Sequence, residues 1–283
     1  MGKPRKKHLQ QEIRFPDKNG QNRGRRKGER YRGKKPGRKP KHGRAGSPHK
    51  TRPELKAWQP IHIVLRVNPE LGALRKRHMY RALRQATIAV ALRELNFAEK
   101  GAFRIVHMSI QNTHVHLLVE AENKTALSRG MQSFQVSAAK HINREFSERR
   151  RLSRRRRGNV FTDRYHQEIL TSPRQARHAL SYVLNNWRKH REDRGGAARS
   201  WKVDPFSTGA LFGGWKERED ATAMWRWPRT YEPLVVYLPK TWLLREGWLK
   251  HGRIGFAEIP SSPQLIPKLG IWSPRELTRP WRA

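Results

Sequence analysis

Residues Phe103 to Glu120 read FRIVHMSIQNTHVHLLVE, two apolar, β-branched runs on either side of Gln111-Asn112-Thr113, the pattern of two strands joined as a hairpin. Side chains alternate along a strand, so His114 and His116 share one face while Val115, Leu117 and Val119 share the other. One face can hold a cation and the other can enter a core. Two imidazoles supply only part of a divalent-metal site, because such ions take roughly four to six ligands. The same pattern also suits two partly exposed histidines, so a further ligand and a nucleophile have to be sought elsewhere.

Working outward, IHIVLRV (61–67) is a β-branched run stopped by Asn68-Pro69, which predicts a strand and a breaker. From Gly72 to about Phe97, Leu74, Ala82, Ile88, Leu92 and Leu95 recur among many arginines and predict an amphipathic helix with a basic outer face. Beyond the hairpin, Thr125 to Phe146 carries Leu127, Met131, Phe134, Ala138 and Ile142 on one helical stripe. The connection RRRLSRRRRGN (149–159) follows, with Arg149, Arg150, Arg151, Arg154, Arg155, Arg156 and Arg157 able to clamp a nucleic-acid backbone or simply to form a solvated loop. A strand over 160–170 is expected next. Ser172-Pro173 then reads as the cap and first turn of a helix that points Ala176, Leu180, Val183 and Leu184 or Trp187 inward. The order β-α-β-β-α-β-α is that of an α+β, ferredoxin-like antiparallel sheet packed with helices.

Three parts are expected: a disordered basic arm (1–55), a folded domain (58–192) and a Trp-rich basic extension (193–283). The arm is Lys, Arg, Gly and Pro without apolar period, suited to neutralising phosphates. The tryptophans of the extension either pack it onto the domain or offer stacking platforms for unpaired bases. Lys and Arg number 62 against 23 Asp and Glu, a formal charge of +39 over 283 residues. Such self-repulsion calls for a polyanion, with nucleic acid as the first choice. With no cysteine, disulfides, thiolate metal sites and cysteine nucleophiles are excluded. No apolar run predicts a membrane span or secretory leader, and a cytoplasmic, nucleoid-associated bacterial protein is the expectation.

The last helix supplies what the histidines lack. Tyr182 and Asn186 are four residues apart and so lie one turn from each other on one face, with His178 and His190 further along it. A tyrosine hydroxyl can attack a phosphodiester and store its bond energy as a phosphotyrosine, and the Asn186 amide oxygen can complete a His-His-Asn site for Mg²⁺ or Mn²⁺. The bland alternative for Tyr182 is a half-buried tyrosine anchored by its hydroxyl. Tyr165 is a rival nucleophile. His107 is expected in a structural role, His62 could approach the site from the first strand, and Glu120 could orient a ligand or form a salt bridge.

NTHVHLLVE, the apolar strand before it and the Tyr-x-x-x-Asn helix after it resemble the single-tyrosine transposases of the IS200/IS605 type, in particular those associated with repetitive extragenic palindromes, within the HUH nuclease superfamily. The likeness spans about residues 58–192 and leaves the arm and extension without a family role. It implies a metal-dependent DNA transposase that cuts single-stranded DNA beside hairpins through a 5′-phosphotyrosine, with Tyr182 as nucleophile and His114, His116 and Asn186 as ligands. Single-stranded or hairpin DNA is the implied partner, with monomer and homodimer both open. The competing function is a domesticated, non-catalytic hairpin DNA- or RNA-binding protein; the intact set His114, His116 and Tyr182 speaks for the enzyme.

Overall fold

The computed structural model describes residues 52–96, 101–195, 198, 201–219 and 231–260. The expected basic arm lies outside them except for residues 52–55, where Leu55 is buried in the core and the Arg52 guanidinium stacks 3.5 Å from the Tyr165 ring centre.

Strands β1 (Ile61–Arg66), β2 (Phe103–Ile110), β3 (His114–Ala121) and β4 (His166–Ile169) form one antiparallel sheet in the order β2-β3-β1-β4. Helices α1 (Arg77–Asn96), α2 (Lys124–Arg149) and α3 (Pro173–Lys189) complete the β-α-β-β-α-β-α order. This is the ferredoxin-like α+β sandwich expected from the sequence.

Strand alternation divides the molecule. Ile61, Ile63 and Leu65 of β1 and Val115, Leu117 and Val119 of β3 join a core with α1 and α2, including Leu83, Val90, Met131 and Phe134. Leu118 and Val106 face the other way, against Leu180, Val183 and Leu184 of α3. Register carries the same logic across strands: Val64 pairs with His116, Arg66 with His114 and His62 with Leu118, so His62, His114 and His116 share the α3 side.

Two element boundaries differ from the sequence reading. Leu74 is buried but precedes α1, because Pro69–Leu71 makes a 3-10 turn and Gly72 takes φ 74°, a conformation that breaks the helix. The α1 stripe is therefore Met79, Ala82, Leu83, Ala86 and Val90, while Leu92 is exposed. The strand over 160–170 is limited to His166–Ile169, with Phe161 joined to Val67 only by an isolated bridge.

The C-terminal segments pack on this sandwich. Val203, Phe212, Trp215, Leu243, Leu244, Trp248 and Ile254 bury the outer side of α3, so Trp215 and Trp248 serve packing, whereas Trp242 is exposed. Residues 206–208 run along the free edge of β2, where Ile110 N–H donates to the Phe206 carbonyl at 2.9 Å and Met108 N–H to Thr208 Oγ1 at 3.1 Å. This covers an edge that would otherwise invite pairing with another chain. Buried Glu120 accepts from Arg104, from the Lys240 and Thr241 amides and from the Thr241 hydroxyl, and so anchors the short helix α4 (Trp242–Arg245) to β3. Of the two roles open to Glu120, the salt bridge is the one formed. No described helix is long and apolar enough to cross a membrane.

Candidate active site

Helix α3 starts where the sequence says it should. Ser172 caps it by accepting from Gln175 N–H, and Pro173 occupies the first turn. Its apolar residues occupy enough of the circumference to pack against both the sheet and the C-terminal segments. What remains facing the β1–β3 surface is Tyr182, Asn186 and, just past the last turn, His190.

These three meet the histidines of the sheet. The Tyr182 ring stands edge-on to His116, with centres 5.2 Å apart, and to His62 at 5.8 Å. His190 stands 5.8 Å from His114, and His114 lies 4.7 Å from His116. Asn186, one turn from each of Tyr182 and His190, is bracketed between those contacts and is fully buried. Tyr165, the rival nucleophile, packs on the opposite face of the sheet with the α1–α2 core. The structure thus brings Tyr182, His114 and His116 together, with Asn186 buried one turn along the same helix from Tyr182, and leaves Tyr165 apart from them.

The ring nitrogens sort into used and unused. His116 Nδ1 is 3.1 Å from His62 Nε2, and His114 Nδ1 is 3.1 Å from Thr113 Oγ1. The Nε2 atoms of His114 and His116, and both amide atoms of Asn186, are buried without any hydrogen-bond partner. Orphaned polar atoms in an interior are costly, roughly 1–3 kcal/mol each, and a group of them at one place calls for a ligand. Two nitrogens and an amide oxygen form a donor set that fits a divalent cation. Among the described residues no three His, Cys, Asp or Glu side chains form a ready-made cage, so the amide of Asn186 is needed to complete one.

Burial also fixes the charge state. It pushes His62 and His114 down to about 3 and His190 to about 4, reinforced by neighbouring positive groups, and holds His116 well below its ordinary value. The imidazoles are neutral near pH 7, as ligands must be. Burial raises the Tyr182 hydroxyl to about 12, so it rests as the phenol. The Lys189 ammonium lies 4.9 Å from the Tyr182 ring centre and is itself lowered by burial.

Residues 60–186 match the family model described as transposase IS200 like. The likeness is confined to the domain that those residues form. No curated protein matches the chain. Among solved structures, a REP-associated tyrosine transposase bound to a REP hairpin is similar at 17% identity and a TM-score of 0.37, over 69% of this chain and 99% of that one. A candidate transposase from Deinococcus radiodurans R1 is similar at 14% identity and a TM-score of 0.30, over 54% of this chain and 100% of that one.

Outside the pocket of this domain, the arginine connection divides in two. Arg156 is spent internally, donating to Asn143 Oδ1 at 2.7 Å and to the Gly158 carbonyl at 2.9 Å. Arg149, Arg150, Arg151, Arg154, Arg155 and Arg157 are exposed, although Arg155 donates to the Lys140 carbonyl and Arg150 lies 4.9 Å over the Phe146 ring. His107 is structural, with Nδ1 3.1 Å from Thr208 Oγ1. The contact of His62 with His116 was the feature least visible in the sequence; only the β1–β3 register reveals it.

Proposed function

We propose that this chain is a metal-dependent DNA strand transferase that cuts single-stranded DNA beside hairpins through a 5′-phosphotyrosine on Tyr182. The observation that carries the reading is the set of orphaned, buried donor atoms on His114, His116 and Asn186, placed one helical turn from a tyrosine that touches His116. The REP-associated tyrosine transposase was solved bound to a REP hairpin, and a hairpin is the DNA partner proposed for this chain.

In this reading Nε2 of His114, Nε2 of His116 and Oδ1 of Asn186 would hold Mg²⁺ or Mn²⁺. When bound, the cation supplies positive charge against the phosphate oxygens and favours the phenolate over the buried phenol. Tyr182 Oη attacks phosphorus, the P–O3′ bond breaks, and the chain keeps the 5′-phosphate. The tyrosine proton passes to solvent water as its oxygen bonds phosphorus, and the departing O3′ takes a proton from solvent. Reversal by another 3′-hydroxyl rejoins a strand and restores Tyr182. His62 fixes the ring of His116, and the exposed arginines of 149–157 hold the DNA backbone.

The test is a denaturing gel of the full chain with labelled hairpin-bearing single strands, in Mn²⁺ or EDTA, beside Tyr182→Phe. A metal-dependent protein–DNA adduct that disappears in the variant is expected, with DNA binding kept. Hairpins that are bound but neither cut nor linked would move the protein to the binding-only reading.

A further inference from the structure

His190 has no part in the mechanism above, yet it shares the features of the residues that do. It follows α3 directly as its C-terminal cap, four residues after Asn186 and eight after Tyr182. Its Nε2 is buried and unpartnered, like those of His114 and His116. Its ring leans edge-on against His114.

Simple geometry relates these rings to one ion. With metal–nitrogen bonds of about 2.1 Å, two imidazoles sharing a cation hold their ring centres about 5 Å apart. His114 and His116, at 4.7 Å, already meet that spacing. His190 and His114, at 5.8 Å, exceed it by about 1 Å, so the three rings are not a ready-made cage and the His190 side chain has to turn toward His114 for its Nε2 to reach the same ion. His62 differs: its Nε2 is engaged by His116 Nδ1, so it supports the site and does not donate to it.

We propose that His190 is a fourth protein donor to the cation, giving three imidazole nitrogens and the Asn186 amide oxygen, and that the site consequently prefers Mn²⁺ or a similar transition metal to Mg²⁺. This rests on the reading of His114, His116 and Asn186 as ligands. Mg²⁺ favours oxygen donors and keeps its waters, whereas imidazole nitrogen suits the transition metals. A set with two nitrogens and open positions for water would serve Mg²⁺ tolerably; a third nitrogen tips the selection. The histidine also extends the donors along α3 by one further turn, tying the C-terminal end of that helix to β3 when a cation is held.

Calorimetric titration of the full chain with Mn²⁺ and with Mg²⁺, without DNA, compares the unmodified protein, His190→Gln and His114→Ala. Expected are tighter binding of Mn²⁺ than Mg²⁺, and a loss in Mn²⁺ affinity in His190→Gln of at least the roughly tenfold seen when a supporting group is removed from a metal site. Mg²⁺ affinity should change less. Pulsed electron paramagnetic resonance of Cu²⁺ bound to the unmodified chain counts coupled imidazoles without any substitution; three supports the proposal and two overturns it. If His114→Ala abolishes Mn²⁺ binding while His190→Gln leaves it unchanged, His190 is not a ligand and the functional reading stands. If the unmodified chain binds neither metal, both fall together.

Discussion

His116 can offer Nε2 to a cation only if its proton sits on Nδ1, and the acceptor for that proton is His62 Nε2 at 3.1 Å. In the proposed site, His62 therefore sets the tautomer of His116 from the neighbouring strand. His62→Phe keeps the ring's bulk and removes the acceptor. It should cost about 1–3 kcal/mol in urea unfolding, the penalty for a buried donor left unpaired, and weaken Mn²⁺ binding by about tenfold or more. His62→Gln, which keeps an acceptor, should recover part of both; equal losses in the two variants would show that the contact is packing alone. At this scale the sequence was informative about His114, His116, Tyr182 and Asn186, because strand and helix periods put each pair on one face. It was weak on His62 and His190, whose value depends on cross-strand register and on where a helix ends.

Helix α2 passes so close to β2 that Gly130 is required. A Cβ there would lie 2.1 Å from Cγ of Phe103, a ring fully enclosed in the core. Two effects oppose each other in Gly130→Ala. Helix propensity favours alanine by about 1 kcal/mol, while overpacking a rigid core costs about 1–3 kcal/mol and more when no flexible end can give way. The clash should win, and urea unfolding should show net destabilisation; a stabilised variant would mean that α2 can lift from the sheet. The α2 and α3 helices were legible because long, unbroken stripes such as Leu127-Met131-Phe134-Ala138-Ile142 leave one solution. The start of α1 was not, since Leu74 supplies a core side chain from a loop and imitates the helical period. The start of β4 escaped for a related reason: only four residues of 160–170 pair with β1 in the ladder.

Across the whole molecule, the C-terminal segments are joined to the sandwich by apolar contact, by ions and by one pH-sensitive seam. At that seam burial pushes His107 down to about 4. Between pH 6.5 and about 4 the unfolded chain binds a proton there that the folded chain refuses, so stability falls as pH falls, by up to about 1.4 kcal/mol per pH unit for this one group. His107→Leu should make the pH dependence of urea unfolding shallower in that window; an unchanged slope would move the effect to other histidines. The ionic joints are equally specific: Arg75 pairs with buried Asp204 through two bonds of 2.8 Å, and Glu258 accepts from both Arg177 and Ser181 of α3. The matched family segment ends at residue 186, yet half of the core around α3 comes from residues 203–254. A chain ended at residue 195 would strip Val203, Phe212, Trp215, Leu243, Leu244, Trp248 and Ile254 from the helix that carries Tyr182. Each large apolar side chain contributes about 1.5–3 kcal/mol when buried, and a small domain holds only about 5–15 kcal/mol in all. Loss of that layer should leave the shortened chain unfolded or aggregated, to be read by its near-ultraviolet circular dichroism and its solubility beside the full chain. A shortened chain that stays folded and still forms the proposed Tyr182 adduct would show that the sandwich holds α3 without the C-terminal cover.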